Sequence, residues 1–415
     1  MSVLSLYRQV SVIGAGMTRF HHRLHQDKQG RELFVEAALE AAESVDNSFT
    51  FGDADALYLG YFSSDMFERQ GHTAALMADW LGMNPKPAYR VEDACASSGV
   101  AVNAGIQAIA SGMCDVVIVG GVEKMRNLDT TEVTDTLALA ADANYEVGVG
   151  FTFPGLYAAI ASAHFSRYGS TWEQLQQVAI KNHVNGKKNP KAQYQETIKE
   201  IADKLGERKG MSFRDEMEFL SSPLNPVVAS PLRLFDCCPI SDGAAAVILA
   251  ADEVAEKYTD TPVRVAGIGQ ASDTMALHDR DDLTSLRATG IAARQAYKMA
   301  GVEARNIDTA CVHDCFTIAE VVATEDLGFF AKGEGGRAAS EGRTALDGEI
   351  PVNPDGGLKA KGHPVGATGA AMVCEMFKQL RGQAGEHQVA DAEVGMAHNV
   401  GAAGATVSVQ IYRRG

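Results

Sequence analysis

The chain has no long hydrophobic run. No stretch approaches the ~20 consecutive apolar residues of a membrane-crossing helix, so a membrane is not an expected partner. It is also poor in positive charge: 37 Lys and Arg stand against 53 Asp and Glu, a formal net charge of −16. Such a balance repels nucleic acid and anionic membranes, so neither is an expected partner. An anionic ligand would have to be held by local basic residues or by backbone N–H groups. Paired metal-binding cysteines are missing too. The seven Cys are scattered, with no CxxC pair. That pattern points to reduced thiols, no structural metal and a reducing, cytoplasmic setting. The opening stretch MSVLSLYRQVSVIG lacks the charged-then-apolar plan of a secretory signal, and Tyr412-Arg413-Arg414-Gly415 carries no address motif.

What the sequence does contain is glycine and alternating α/β patterning. With 415 residues, of which 41 are Gly, two or three packed domains are expected. Val10–Ala15 reads as a buried strand ending in Gly14-Ala15-Gly16, and a helix with apolar positions Leu33, Ala37, Ala38 and Leu39 follows. Residues 53–61 and 88–93 read as strands, and 115–120 (DVVIVG) as a β-branched, buried one. From about 125 to 228 the composition shifts toward Lys, Gln, Asn and aromatics, and the helical patterns lack intervening strands. The apolar sheet pattern resumes at Ala244–Ala250.

The second half echoes the first. Val263–Gly269 (VRVAGIG) matches Val10–Gly16 (VSVIGAG), and Asp308–Val312 matches Asp53–Leu57. An offset of roughly 250–270 residues predicts two βαβ-type halves from a duplication. Two helices of small residues, one after Cys95 and one after Lys361–Thr368, would pack closely at the centre. Val394–Ile411 reads as strand, glycine turn and strand. The expected divisions are 1–124 with 229–262, an inserted loop domain at 125–228, and 263–415.

Four segments carry side chains able to do chemistry. In Asp93-Ala94-Cys95-Ala96-Ser97-Ser98-Gly99, Cys95 sits where a strand ends and a helix begins. Helix N-terminal N–H groups favour a thiolate there and would hold the oxygen of an acyl group on the sulfur. Taken alone, Cys95 reads equally well as a buried structural cysteine. The other segments are His313-Asp314-Cys315-Phe316, Lys361-Gly362-His363-Pro364-Val365-Gly366-Ala367-Thr368-Gly369, and His398-Asn399-Val400-Gly401-Ala402-Ala403-Gly404, the last read as a glycine turn between two strands. Ligands in layered α/β folds gather at strand ends, where all four should lie.

Together the four segments resemble the active-site loops of the thiolases, in the family's order and over nearly the whole chain. Cys95-Ala96-Ser97 is similar to the nucleophile motif CxS, and Gly362-His363-Pro364 matches GHP. His313-Asp314-Cys315-Phe316 and His398-Asn399-Val400-Gly401 depart from the commoner NEAF and CxG loops. They resemble instead the sterol-carrier-protein-2 type of thiolase and its bacterial relatives. Asp236-Cys237-Cys238-Pro239, followed by Ser241-Asp242-Gly243, is similar to the segment re-entering the core after the family's loop domain.

The resemblance implies a layered αβαβα fold and an acyltransferase, either an acetyl-CoA C-acetyltransferase or a 3-ketoacyl-CoA thiolase. Coenzyme A would be substrate and product, with no tightly bound cofactor. Cys95 would be acylated and His363 would take its proton. Cys315 would move the carbon-acid proton, and His313 with His363 would hold the enolate oxygen. A second oxyanion hole would use the Cys95 N–H and an N–H of the 398–401 turn, nominally Gly401. His398 would otherwise only shape that turn. Cys114, Cys237, Cys238, Cys311 and Cys374 read as core. Lys181, Lys187, Lys188, Arg167 and Arg233 are available to CoA phosphates, although a charge run is usually a solvated face. Tyr157, His164 and Phe165 read as tunnel lining or core. The family suggests a homodimer or homotetramer and, in some relatives, a small zinc-containing partner subunit.

Competing readings are an acyltransferase that passes its acyl group to a non-CoA acceptor and a carbon–carbon lyase. Cys95 weighs against the lyase, which needs no acyl-enzyme. A dinucleotide-binding reading of Gly14-Ala15-Gly16 fails because Arg19 stands where the third glycine belongs.

Overall fold

The structure, a computed structural model, describes residues 6–415. The reading of the N-terminus as free of a secretory signal falls partly on residues 1–5, outside the described residues. Among the described residues eleven strands are formed: β1 Val10–Met17, β2 Ala56–Gly60, β3 Ala88–Val91, β4 Val116–Glu123, β5 Val227–Ala229, β6 Leu232–Arg233, β7 Gly243–Ala251, β8 Val263–Ser272, β9 Thr309–Val312, β10 Val394–Gly401 and β11 Thr406–Arg414. Those of β1, β4 and β7 are buried along their whole length, as β-branched and small residues covered on both faces should be.

The two halves repeat one pairing scheme. In the first, β1 and β4 each run antiparallel to β7, and β2 lies parallel to β4. In the second, β8 and β10 each run antiparallel to β11, and β9 lies parallel to β10. The first half adds β3 parallel to β2, and the second has only a parallel bridge between Ala310 and Val352 at the matching edge. The halves are joined by β1 and β8 through the pairs Ser11–Arg264 and Val12–Val263, so nine strands are continuous in hydrogen bonding.

Two helices, Ser97–Ala110 and Thr368–Leu380, lie between the halves. The first packs on β2 and β4 and also on β11; the second packs on β10 and also on β7 and β1. Helices Gly30–Glu43 and Arg287–Ala300 cover the outer faces, which gives the αβαβα layering. Gly14 and Gly16, the apparent dinucleotide glycines, let β1 approach the Gly30–Glu43 helix: a Cβ at Gly16 would lie 2.3 Å from the Ala41 nitrogen. Between residues 125 and 226 the chain forms helices and no strand, including Thr130–Ala138, Phe153–Tyr168 and Trp172–Lys188. Among the described residues no helix is long and apolar enough to cross a membrane.

The central helices meet at their first turns, glycine against glycine. A Cβ on Gly369 would lie 2.2 Å from the Gly99 nitrogen and 2.4 Å from Asn399 Oδ1. Ser98 Oγ accepts the Ala370 N–H at 3.0 Å, tying the two helix starts together. Gly369→Ala is expected to destabilise the protein by about 1–3 kcal/mol, since backbone cannot move aside as a side-chain tip can. A urea midpoint unchanged from the parent would refute this close contact.

Candidate active site

The central helix starts bring the four sequence segments to one cavity of about 170 Å³. Cys95, Cys315, His363 and Ala402 line it together with Phe62, Met125, Phe153, Ile240 and Val365, and no lining residue is Lys, Arg, Asp or Glu. Such a wall suits an apolar acyl chain with a few polar groups at its base.

Cys95 sits in a strained elbow rather than in the helix itself. The helix begins at Ser97, and Ala94 just before the cysteine has φ of +51°. An L-residue held there costs about 1–2 kcal/mol. Ser97 holds the elbow, its hydroxyl donating to Ala94 O at 2.6 Å and accepting the Asp93 N–H at 3.0 Å. The backbone N–H groups of Ala402 and of Cys95 itself act on the Cys95 sulfur and favour its charged form. Burial still dominates and pushes the thiol up to about 12, with the buried Glu123 carboxyl acting in the same direction. Burial thus outweighs the helix-end N–H groups that would favour a thiolate at Cys95.

The reactive atoms of Cys95, His313 and His363 all lie within 4.8 Å of one another. Hydrogen bonds behind each imidazole determine what it presents. Thr368 Oγ1 donates to Pro364 O at 2.9 Å, so at its 2.6 Å contact with His363 Nδ1 it accepts. His363 Nδ1 therefore carries hydrogen, and its Nε2, buried and without a partner, offers a lone pair. His313 is the reverse. Asn399 Nδ2 donates to Cys95 O at 3.0 Å and to His313 Nδ1 at 3.2 Å, so His313 Nε2 carries hydrogen and is also unpartnered. One ring is thus a base and the other a donor. Burial keeps both neutral, His363 being pushed down to about 3 and His313 well below the ordinary value. The spacing of the three atoms would admit a metal ion, but a protonated His313 Nε2 has no lone pair to give it.

Asn399 was not singled out by the sequence, where it is one polar residue in a glycine-rich run. Only its two donated bonds reveal it. His398 is buried beneath His313: its Nδ1 lies 3.5 Å from the His313 N–H and its Nε2 3.0 Å from Thr289 Oγ1. That geometry matches the shaping role rather than an acid–base one.

Further readings of the sequence are changed. Of the 398–404 stretch read as a glycine turn, 398–401 is the end of β10, with Gly401 paired to Thr406, and the turn itself is 402–405. The amide that reaches the sulfur is Ala402, one residue beyond Gly401. Gly401 is needed for another reason, since a Cβ there would lie 2.5 Å from Asp93 O. Cys237 and Cys238 line the cavity rather than filling core, because the Cys238 N–H bonds to Cys315 O at 2.9 Å and carries the segment alongside the HDCF loop. Cys311 and Cys374 are core as expected, and Cys114 is half-buried. His164 is no tunnel residue: it is buried against Glu325 at 3.2 Å. Phe165 packs against the core.

The proposed phosphate cations are largely committed elsewhere. Lys181 pairs with buried Glu320 at 2.7 Å, Lys187 with Glu200 and Arg167 with Asp282. Arg233 donates to the Ser221 and Asn225 carbonyls, and Lys188 lines a separate cavity.

Two consequences can be measured. Alkylation of Cys95 by iodoacetamide should rise about tenfold per pH unit from pH 7 to 10, as for a thiol titrating well above that range. A plateau below pH 8 would mean a resting thiolate instead. In Asn399→Asp the carboxylate accepts from His313 Nδ1, moving the hydrogen off Nε2. Turnover should fall by about 10²–10³, the usual effect of losing an oxyanion donor, without loss of fold by circular dichroism.

Comparison with known proteins agrees with this arrangement. The thiolase N-terminal domain family model matches residues 10–253, and the thiolase C-terminal domain-like model matches residues 269–414. An acetyl-CoA acetyltransferase of Methanothermobacter thermautotrophicus is 47% identical over 98% of this chain and 100% of its own. Sterol carrier protein 2 of Bos taurus is 30% identical over 99% of this chain and 73% of its own. A solved Ltp2–ChsH2(DUF35) aldolase has the same fold, with a TM-score of 0.79 at 22% identity over 100% of this chain and 99% of that one. The chain belongs to the thiolase family.

Proposed function

We propose that the chain makes or cleaves a 3-ketoacyl-CoA through an acyl-enzyme on Cys95. It is an acyltransferase of the thiolase kind. The observation that carries the catalytic assignment is the opposite tautomeric state of the two imidazoles facing one thiol.

In cleavage, Cys95 gives its proton to His363 Nε2 and the sulfur adds to the C3 carbonyl. The C2–C3 bond then breaks, and its electron pair becomes the enolate of acetyl-CoA. His313 Nε2–H and the newly protonated His363 hold the enolate oxygen, and Cys315 gives its proton to the carbon. CoA then attacks the acyl-enzyme, its thiol proton passing to the Cys315 thiolate, and the released Cys95 sulfur takes its proton back from His363. The acyl oxygen lies against the Cys95 and Ala402 amides, so Ala402 takes the part first given to Gly401. Synthesis runs the same steps backwards. Burial raises Cys315 well above an ordinary thiol, so it rests protonated, as a donor to carbon must. A neutral His363 fits a thiol nucleophile, since proton transfer occurs as the sulfur attacks.

CoA is proposed as substrate and product, with no resident cofactor or metal. The chain is proposed to divide as 1–124 with 229–262, 125–228 and 263–415. We place it in the cytoplasm, where its seven free thiols stay reduced. A homodimer or homotetramer is proposed, with the β3 edge and its exposed Tyr89 free to pair. Because most of the named cations are engaged in ion pairs and backbone contacts, a small zinc-containing partner that helps hold CoA is kept as part of the reading.

The test is acetoacetyl-CoA with and without CoA, followed optically and by intact mass. CoA-dependent loss to acetyl-CoA is expected. Cys95→Ala should take no acyl group, whereas Cys315→Ala should acylate from acetyl-CoA but fail at the carbon–carbon step. Equal loss of both half-reactions in Cys315→Ala would overturn its role.

A further inference from the structure

We propose that Tyr157 is a positioning residue, whose hydroxyl holds the Ala402 carbonyl and so fixes the turn in which the preceding peptide directs the Ala402 N–H toward the Cys95 sulfur and the acyl oxygen formed there. This rests on the acyl-enzyme reading above.

Tyr157 lies in the Phe153–Tyr168 helix of the inserted region and is 1% exposed. Its hydroxyl donates to Ala402 O at 3.1 Å. Ala402 has φ of +55°, so this peptide must be held against the alanine's own preference. The next carbonyl, Ala403 O, accepts from Arg280 Nη1 at 2.7 Å, and Arg280 Nε is anchored on Thr274 O at 2.9 Å. The 402–405 turn is thereby gripped at two successive carbonyls, by the inserted region on one side and by the C-terminal half on the other. Rotation of the Ala402 peptide would break the tyrosine bond and withdraw the amide beside it in the turn.

The Cys315 thiol lies near enough to act on the same hydroxyl, each shifting the other's ionisation. A phenol has one hydrogen to donate. While Cys315 holds its proton, the thiol can donate to the phenol oxygen and the phenol hydrogen stays on Ala402. Once Cys315 has lost its proton, its thiolate competes for that hydrogen. The grip on Ala402 is then greatest when Cys315 is protonated, the state in which a ketoacyl substrate acylates Cys95. A buried tyrosine with a satisfied hydroxyl is commonly core, and its ring does stack on Phe316 at 4.6 Å. Tyr157→Phe preserves that stacking and removes only the donor.

The experiment acetylates the full-length enzyme with [1-13C]acetyl-CoA and reads the thioester carbonyl stretch by difference infrared spectroscopy, alongside the acylation rate. In Tyr157→Phe the stretch should move to higher wavenumber, because a misplaced amide polarises the carbonyl less. Acylation should slow by about 10- to 100-fold, less than outright loss of a donor, with KM for the acyl-CoA within about twofold of the parent. An unmoved stretch overturns the inference, even if the carbon–carbon step is slowed through Cys315. Should Tyr157→Phe fail to fold, 3,5-difluorotyrosine at position 157 is a stronger donor and should move the stretch to lower wavenumber; no movement again overturns it. A parent enzyme that takes no acetyl group would overturn the acyl-enzyme reading itself, an outcome distinct from an acetylated parent whose carbonyl ignores Tyr157.

Discussion

The constraint on which the site depends is the contact of two helix starts at Gly99 and Gly369. Neither position has room for a methyl group, so the Cys95 loop and the His363 loop approach to a distance that larger residues would forbid. The duplication supplies this arrangement. Each half contributes one central helix, and the loops leading into those helices meet on one side of the layers. The weak join between β1 and β8, only two residue pairs long, shows that the central helices and the apolar core bind the halves together more than the sheet does.

Around that contact, buried acceptors hold the loops in place. Glu123 ends β4 and accepts the N–H groups of Phe62, Ser63 and Gly366, drawing a cavity wall and the His363 segment to the same strand end. Burial pushes its carboxyl up to about 8, because three hydrogen bonds do not fully replace water. Asp314 works similarly beside Cys315, accepting from Leu358, Lys359 and Asn182. The reactive loops are therefore fastened by their own polar residues to neighbouring backbone, which keeps imidazoles and thiols from having to serve as scaffolding.

Much of this was legible in the sequence for identifiable reasons. The run Val116–Gly120 could only be a buried strand, and the repeated VxVxGxG segments gave the duplication because both must pass close under a helix. The nucleophile and GHP loops were recognisable by residue type and order. The end of β10 was misread because Gly401 and the alanines after it look like a turn. The glycine is there to admit Asp93 O, a contact some 300 residues distant in sequence. The roles given to Asn399 and Tyr157 could not be read from spacing, since each acts through one or two bonds to distant groups. The lysines available for phosphate could not be sorted from the sequence, which does not reveal that Glu320 and Glu200 engage two of them.

Four thiols, those of Cys95, Cys237, Cys238 and Cys315, share one chamber. Peroxide reacts with thiolates far faster than with thiols. Burial holds all four in the protonated form. An empty enzyme is therefore chemically quiet toward oxidants, and its sulfur becomes nucleophilic only as His363 removes the proton during attack on a substrate. The dryness that makes Cys95 a reluctant acid is also its protection between turnovers.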